Sequence, residues 1–105
     1  MKKLDHIVLS KITKRALPRW AKCLCVVQDH RPGWKHLATV LALAVREAGR
    51  IEYVVWRVNL ETPDVFSGDY RNDLESAWTG FSSGVKHRLA EPEEAPPVGK
   101  ALLGL

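Results

Sequence analysis

The chain is poor in sulfur, with two cysteines and one methionine among 105 residues. Two cysteines cannot build a disulfide framework, and Cys23 and Cys25 stand so close that a bridge between them would be strained. Both are expected to be reduced. With His30 and His36 they fall in KCLCVVQDHRPGWKH, residues 22–36, the stretch richest in metal-ligand residue types. The spacing is wrong for structural zinc, which uses a cysteine hairpin with at least two intervening residues and a second pair at similar spacing. On a strand the two thiols would share a face, and on a helix they would diverge by about 200°. His30 and His36 flank a Pro-Gly turn. The expectation is two small buried thiols that act as apolar filler, with no metal and no other cofactor.

Long apolar runs are missing as well. The longest, 37–45, is far short of the roughly 20 residues that span a bilayer. MKKLDHIVLSKITKR opens with charge ahead of an apolar run, but Lys11, Lys14 and Arg15 stop it too early for a signal peptide. A cytoplasmic location without a membrane partner is therefore expected.

Catalytic signatures are equally scarce. There is no Gly-x-Ser-x-Gly elbow, and Val98-Gly99-Lys100 lacks the earlier glycine of a phosphate-binding loop. Asp5-His6 and Asp29-His30 are sequence neighbours, which seldom form a working acid–base dyad. His87 suits the last turn of a helix as a favourable C-terminal charge. No residue is assigned a catalytic role, and the chain is not expected to be an enzyme.

What the chain does have is a divided charge. Residues 1–50 carry eleven Lys and Arg against three Asp and Glu, and residues 51–105 carry five against nine. The net +4 thus separates into a basic half and an acidic half. Such a dipolar surface favours an acidic partner on one side without making the whole molecule a polyanion binder.

The spacing of Trp34, Leu37, Val40, Leu41, Ala44, Val45 and Ala48 predicts a helix over 34–48, with Gly49 as its left-handed cap. A second helix is predicted over 73–89, on the stripe Leu74, Trp78, Phe81, Val85 and Leu89, with Asn72 and Glu75 as a capping box. Between them IEYVVWRVN, 51–59, fits both periods, and its Val, Ile, Tyr and Trp content favours a strand. CLCVV (23–27) and HIVLS (6–10) are its candidate partners.

The expected fold is a small α+β domain over 1–90. It contains a strand–helix–strand unit at about 23–59, with a right-handed crossover if its strands are parallel, and a C-terminal helix at about 73–89. The alternative is an all-α bundle, with a helix starting at Pro18. Residues 60–70 read as a loop, and 91–105 as an acidic, proline-rich tail dispensable for folding.

Four tryptophans are many for this length, so one or two should remain at the surface as binding anchors. Gly80 and Gly84, one helical turn apart, make a strip without side chains, and Phe66 and Tyr70 stand on a polar segment. With Lys11, Lys14, Arg15 and Arg19 as a charged rim, these residues form the expected partner-binding site. The function implied is that of a small accessory protein that docks on a larger protein, as a regulator or inhibitor of the kind bacteria and phages encode. The alternative is a nucleic-acid-binding module that uses the basic residues of 1–22. A helix-turn-helix over 40–58 is disfavoured by Arg50, where such motifs want an apolar residue.

Overall fold

The computed structural model describes residues 1–90, with side chains through residue 87. The expected tail at 91–105 lies outside the described residues. The elements run α1 (His6–Ala16), β1 (Ala21–Gln28), β2 (Leu37–Val45), a short 3-10 turn (Glu47–Gly49), β3 (Ile51–Asn59), β4 (Asp64–Arg71) and α2 (Leu74–Ala90). The four strands form one antiparallel sheet in the order β1-β2-β3-β4. The fold is mixed α+β, which rules out the all-α alternative and the helix-turn-helix over 40–58.

The expected helix at 34–48 is instead a turn followed by β2, so no strand–helix–strand unit and no crossover exist. Helical spacing in LATVLALAV is met because nearly every position is apolar. An almost unbroken apolar run is also what a strand covered on both faces requires. Ala38, Val40, Ala42 and Ala44 point to one face and Leu41 to the other, and all five are buried. Gly49 is left-handed as expected (φ 75°), but it serves the β2–β3 hairpin, in which Ala48 shares that conformation (φ 62°). There Arg46 N–H donates to the Arg50 carbonyl at 2.7 Å.

HIVLS is helical rather than extended. Asp5 caps α1 by accepting from the Val8 amide at 3.0 Å, while Leu9 and Thr13 lie one turn apart on its buried side. Lys14 and Arg15 fall in the last turn, where positive charge suits the helix dipole. The loop expected at 60–70 is largely β4, whose polar composition is that of an exposed edge strand. α2 is capped by Asp73, which accepts from the Ser76 amide at 2.8 Å, one residue later than the Asn72–Glu75 box expected.

One helix covers each face of the sheet. Leu9, with Ile12, Ala16 and Leu17, packs on Ala38, Val40, Ala42, Ala44, Val54, Trp56 and Val58. On the other face Ala77, Phe81 and Val85 of α2 meet Leu41, Val27, Tyr53 and Val55. The helix is rolled away from its expected stripe, because Leu74 and Trp78 are exposed. Both edge strands are bulged. In β1, Cys23 lies opposite Ala42 and Cys25 opposite Leu41, with Leu24 as the extra residue. In β4 the register shifts between Phe66 and Asp69, where Ser67 adopts a left-handed backbone (φ 56°).

A buried amide fastens the N-terminal segment to the sheet. Gln28 Oε1 accepts from the Leu4 amide at 2.7 Å, and its Nε2 donates to the carbonyls of Lys2 at 3.1 Å and Lys35 at 2.6 Å. Gln28→Leu removes all three bonds and is expected to lower stability by about 2 kcal/mol, read as a fall of several degrees in the thermal midpoint. A loss below about 0.5 kcal/mol would mean that solvent satisfies the same groups equally well.

Candidate functional site

The most developed site is a groove of about 570 Å³ between α2 and the β3–β4 half of the sheet. Its floor is set by strand register. Thr39 of β2, Arg57 of β3 and Phe66 of β4 stand opposite one another in successive strands, so their side chains form one row on the α2 face. The turn after β1 brings in Asp29 and Arg31. Asp29 N–H donates to the Leu37 carbonyl at 2.8 Å, and the turn closes with Trp34 N–H donating to the Arg31 carbonyl at 3.0 Å. Gly33 has the left-handed backbone (φ 83°) that this tight 31–34 reversal requires.

The Asp29 carboxylate is fully buried and joins two arginines. Its Oδ1 accepts from Arg31 Nε at 3.2 Å, and its Oδ2 accepts from Arg31 Nη2 at 3.1 Å and from Arg57 Nη2 at 3.1 Å. Arg57 Nη1 donates to Thr39 Oγ1 at 2.9 Å, and the Arg31 guanidinium lies 4.7 Å from the Trp34 ring centroid. Burial pushes the Asp29 carboxyl up. Hydrogen bonds from Arg31 and Arg57, with their charges, outweigh that and hold it below its ordinary value.

The facing wall is α2, where Gly80, Gly84 and His87 line the groove. A side chain at Gly80 would meet Asp69 Oδ2 at 3.5 Å and Arg71 Nη2 at 3.6 Å, so the glycine seats this pair against the helix. Asp69 and Arg71 are joined by two bonds of 2.9 Å, and Arg71 Nη1 also donates to Ser76 Oγ at 2.7 Å. Phe66 remains 42% exposed at the edge of the groove.

A second aromatic cluster occupies the opposite face. The rings of Trp20 and Trp56 lie 5.8 Å apart, and those of Trp56 and Tyr70 lie 6.1 Å apart edge to face. Arg46 stands 4.4 Å from the Trp20 ring and 5.6 Å from the Tyr70 ring, and pairs with Glu52 at 2.9 Å.

The expected site residues are therefore divided. Phe66, Gly80 and Gly84 converge on the groove. Tyr70 lies on the other face, opposite Val54, together with α1 and its exposed Lys11, Lys14 and Arg15. Arg19 is exposed in the α1–β1 connection next to Trp20. The four basic residues do not rim the groove. The groups missed in the sequence are Asp29, Arg31, Thr39 and Arg57. A lone arginine within the otherwise apolar core of IEYVVWRVN was the available signal.

The chain has no relative among the proteins compared. No protein-family model matches it, and neither the curated proteins nor the solved structures contain a match.

Among the described residues, no group of three or more His, Cys, Asp or Glu comes together to hold a metal ion. Cys23 and Cys25 are free thiols, but they are not the buried pair expected: Cys23 is exposed and Cys25 partly buried. The β1 bulge also sends them to opposite faces rather than to one, and burial pushes the Cys25 thiol up, away from the thiolate a metal would need. Of the tryptophans, Trp56 is buried and Trp34 half-buried, while Trp20 and Trp78 are exposed, as the count for this length implied. No helix among the described residues is long and apolar enough to cross a membrane.

Proposed function

We propose that this is a small non-enzymatic binding protein that receives a protein partner in the groove beside α2 and acts as that partner's regulator or inhibitor. Phe66 carries the reading. Its ring is left exposed at the edge of a groove whose floor is closed by ion pairs and whose far wall has no side chain at Gly80 and Gly84. An aromatic anchor, nearby desolvated charge and room for close backbone approach are the parts from which protein interfaces are made. Acid–base work suits the groove less well. Both oxygens of Asp29 are held by guanidinium N–H groups, which favour the ionised form and leave it poorly placed to take up a proton.

The test is a quantitative pull-down from the native host with three forms of the protein. Phe66→Ala is expected to reduce capture of the partner by about tenfold or more, with an unchanged thermal midpoint. Tyr70→Ala, on the opposite face, is expected to leave capture intact. Undiminished capture by Phe66→Ala would sink the groove as the docking site.

A second reading, nucleic-acid binding, is favoured by one observation. Trp20 and Tyr70 are 39% and 46% exposed on the face that α1 supplies with Lys11, Lys14 and Arg15. Exposed rings can stack bases while cations meet phosphates. Capture that survives Phe66→Ala and disappears on nuclease treatment would favour this reading, with a salt slope of about −0.9 per phosphate contacted.

A further inference from the structure

We infer that the groove recognises its partner through a carboxylate, an Asp or Glu side chain seated on the Arg31–Arg57 pair beside Phe66. This rests on the docking groove proposed above and adds the chemistry of what docks there.

Charge carries the inference first. Three guanidiniums meet in and around the groove, those of Arg31, Arg57 and Arg71, against two carboxylates, Asp29 and Asp69. With His87 counted as neutral, one positive charge is left over. Arg31 and Arg57 keep only 12% and 11% of their side-chain surface, so that surplus sits where water screens it poorly. An incoming anion is attracted more strongly there than at an exposed lysine.

Donor geometry carries it further. Arg31 offers Nε and Nη2 to Asp29 and leaves Nη1 without a protein acceptor. Every buried side-chain nitrogen or oxygen among the described residues has a partner, so this Nη1 is reachable from solvent. Arg57 binds Asp29 and Thr39 through single N–H groups on Nη2 and Nη1. Guanidinium N–H groups aimed at one space match a planar carboxylate.

The size of the surplus selects among anions. One carboxylate neutralises it. A phosphate, carrying about −1.5 to −2, would leave negative charge beside Asp29 and Asp69, and a polyanion would leave more. The rings of Phe66 and Trp34 border the groove. They suit an apolar or aromatic residue next to the acidic one.

The probes are three capped dipeptides titrated into the 15N-labelled full chain: N-acetyl-Phe-Glu-amide, its Phe-Gln isostere and its Phe-phosphoserine analogue. The Glu probe is expected to shift the Arg31 and Arg57 side-chain N–H signals and the Gly80 and Gly84 amides, binding at least about fivefold more tightly than either other probe. Arg31→Lys, which keeps the charge and loses the planar fork, is expected to abolish that preference while the spectrum stays folded. Equal shifts by the Gln probe, tighter binding of phosphoserine, or shifts confined to other surfaces would each overturn the carboxylate. None of these results bears on partner capture by Phe66→Ala, so the carboxylate and the groove fail separately.

Discussion

Asp29→Ala is expected to destabilise the fold by about 3–5 kcal/mol, the usual penalty for removing one partner of a buried charge pair. Here the penalty falls on two side chains at once. Arg31 and Arg57 both depend on this carboxylate and are both nearly buried, so its loss leaves two guanidiniums facing each other across a desolvated gap. A small domain commonly has only about 5–15 kcal/mol of stability in all, so the variant should melt far below the parent or fail to fold at 37 °C. Asp29→Asn keeps the shape and some acceptor capacity and should lose less.

The parent's pH dependence follows from the same contacts. The folded-state value of Asp29 lies below its ordinary 3.8. Its contribution to stability is therefore complete above that ordinary value and is lost as pH falls through the lowered one. Urea titrations of the parent and of Asp29→Asn between pH 7 and pH 3 should converge toward the acid end. Parallel curves throughout would show that the carboxylate is not ionised in the folded protein.

Trp56→Ala is expected to cost about 3–5 kcal/mol, as truncations of large buried aromatics do. Trp56 is 5% exposed and in contact on three sides. Trp20 and Tyr70 pack on it, and the β4 backbone comes so near at Gly68 that an added Cβ would lie 2.8 Å from the indole Nε1. The hole would open beneath a bulged edge strand, so β4 should lose hydrogen-exchange protection ahead of β2. Equal protection in the two strands would show that α1 and the edge residues collapse into the gap.

The sequence made some elements readable and hid others for physical reasons. β3 was legible because Ile, Tyr, Val and Trp are poor choices for a helix that had room for Ala or Leu. β2 was misread because Ala and Leu, good helix formers, stand where a central strand is pressed between two helices, and α1 needs small residues at 38, 42 and 44 to come close. β4 was taken for a loop because an edge strand with one side in solvent is written in polar residues. The groove was half visible. Phe66, Gly80 and Gly84 declare themselves by type, whereas the link between Asp29 and Arg57 spans 28 positions and exists only once β2 and β3 pair. Tyr70 was grouped with Phe66 because the two are four apart. The extra residue in β4 puts the tyrosine on the opposite face.

That same extra residue, with its counterpart in β1, bears on how copies of the chain behave toward one another. A flat edge strand is a template on which an identical strand can add, and repeated addition builds ribbons. In β1 the paired run is broken at Leu24 into Ala21–Cys23 and Cys25–Gln28, and in β4 it is broken between Phe66 and Asp69. A neighbouring copy arriving at either border finds about three or four residues in register before the carbonyls turn away, less than a stable pairing needs. Crowded molecules are thus steered away from polymerising through their borders. Their exposed aromatic rings stay available on the faces, where an encounter with a different surface can select among partners.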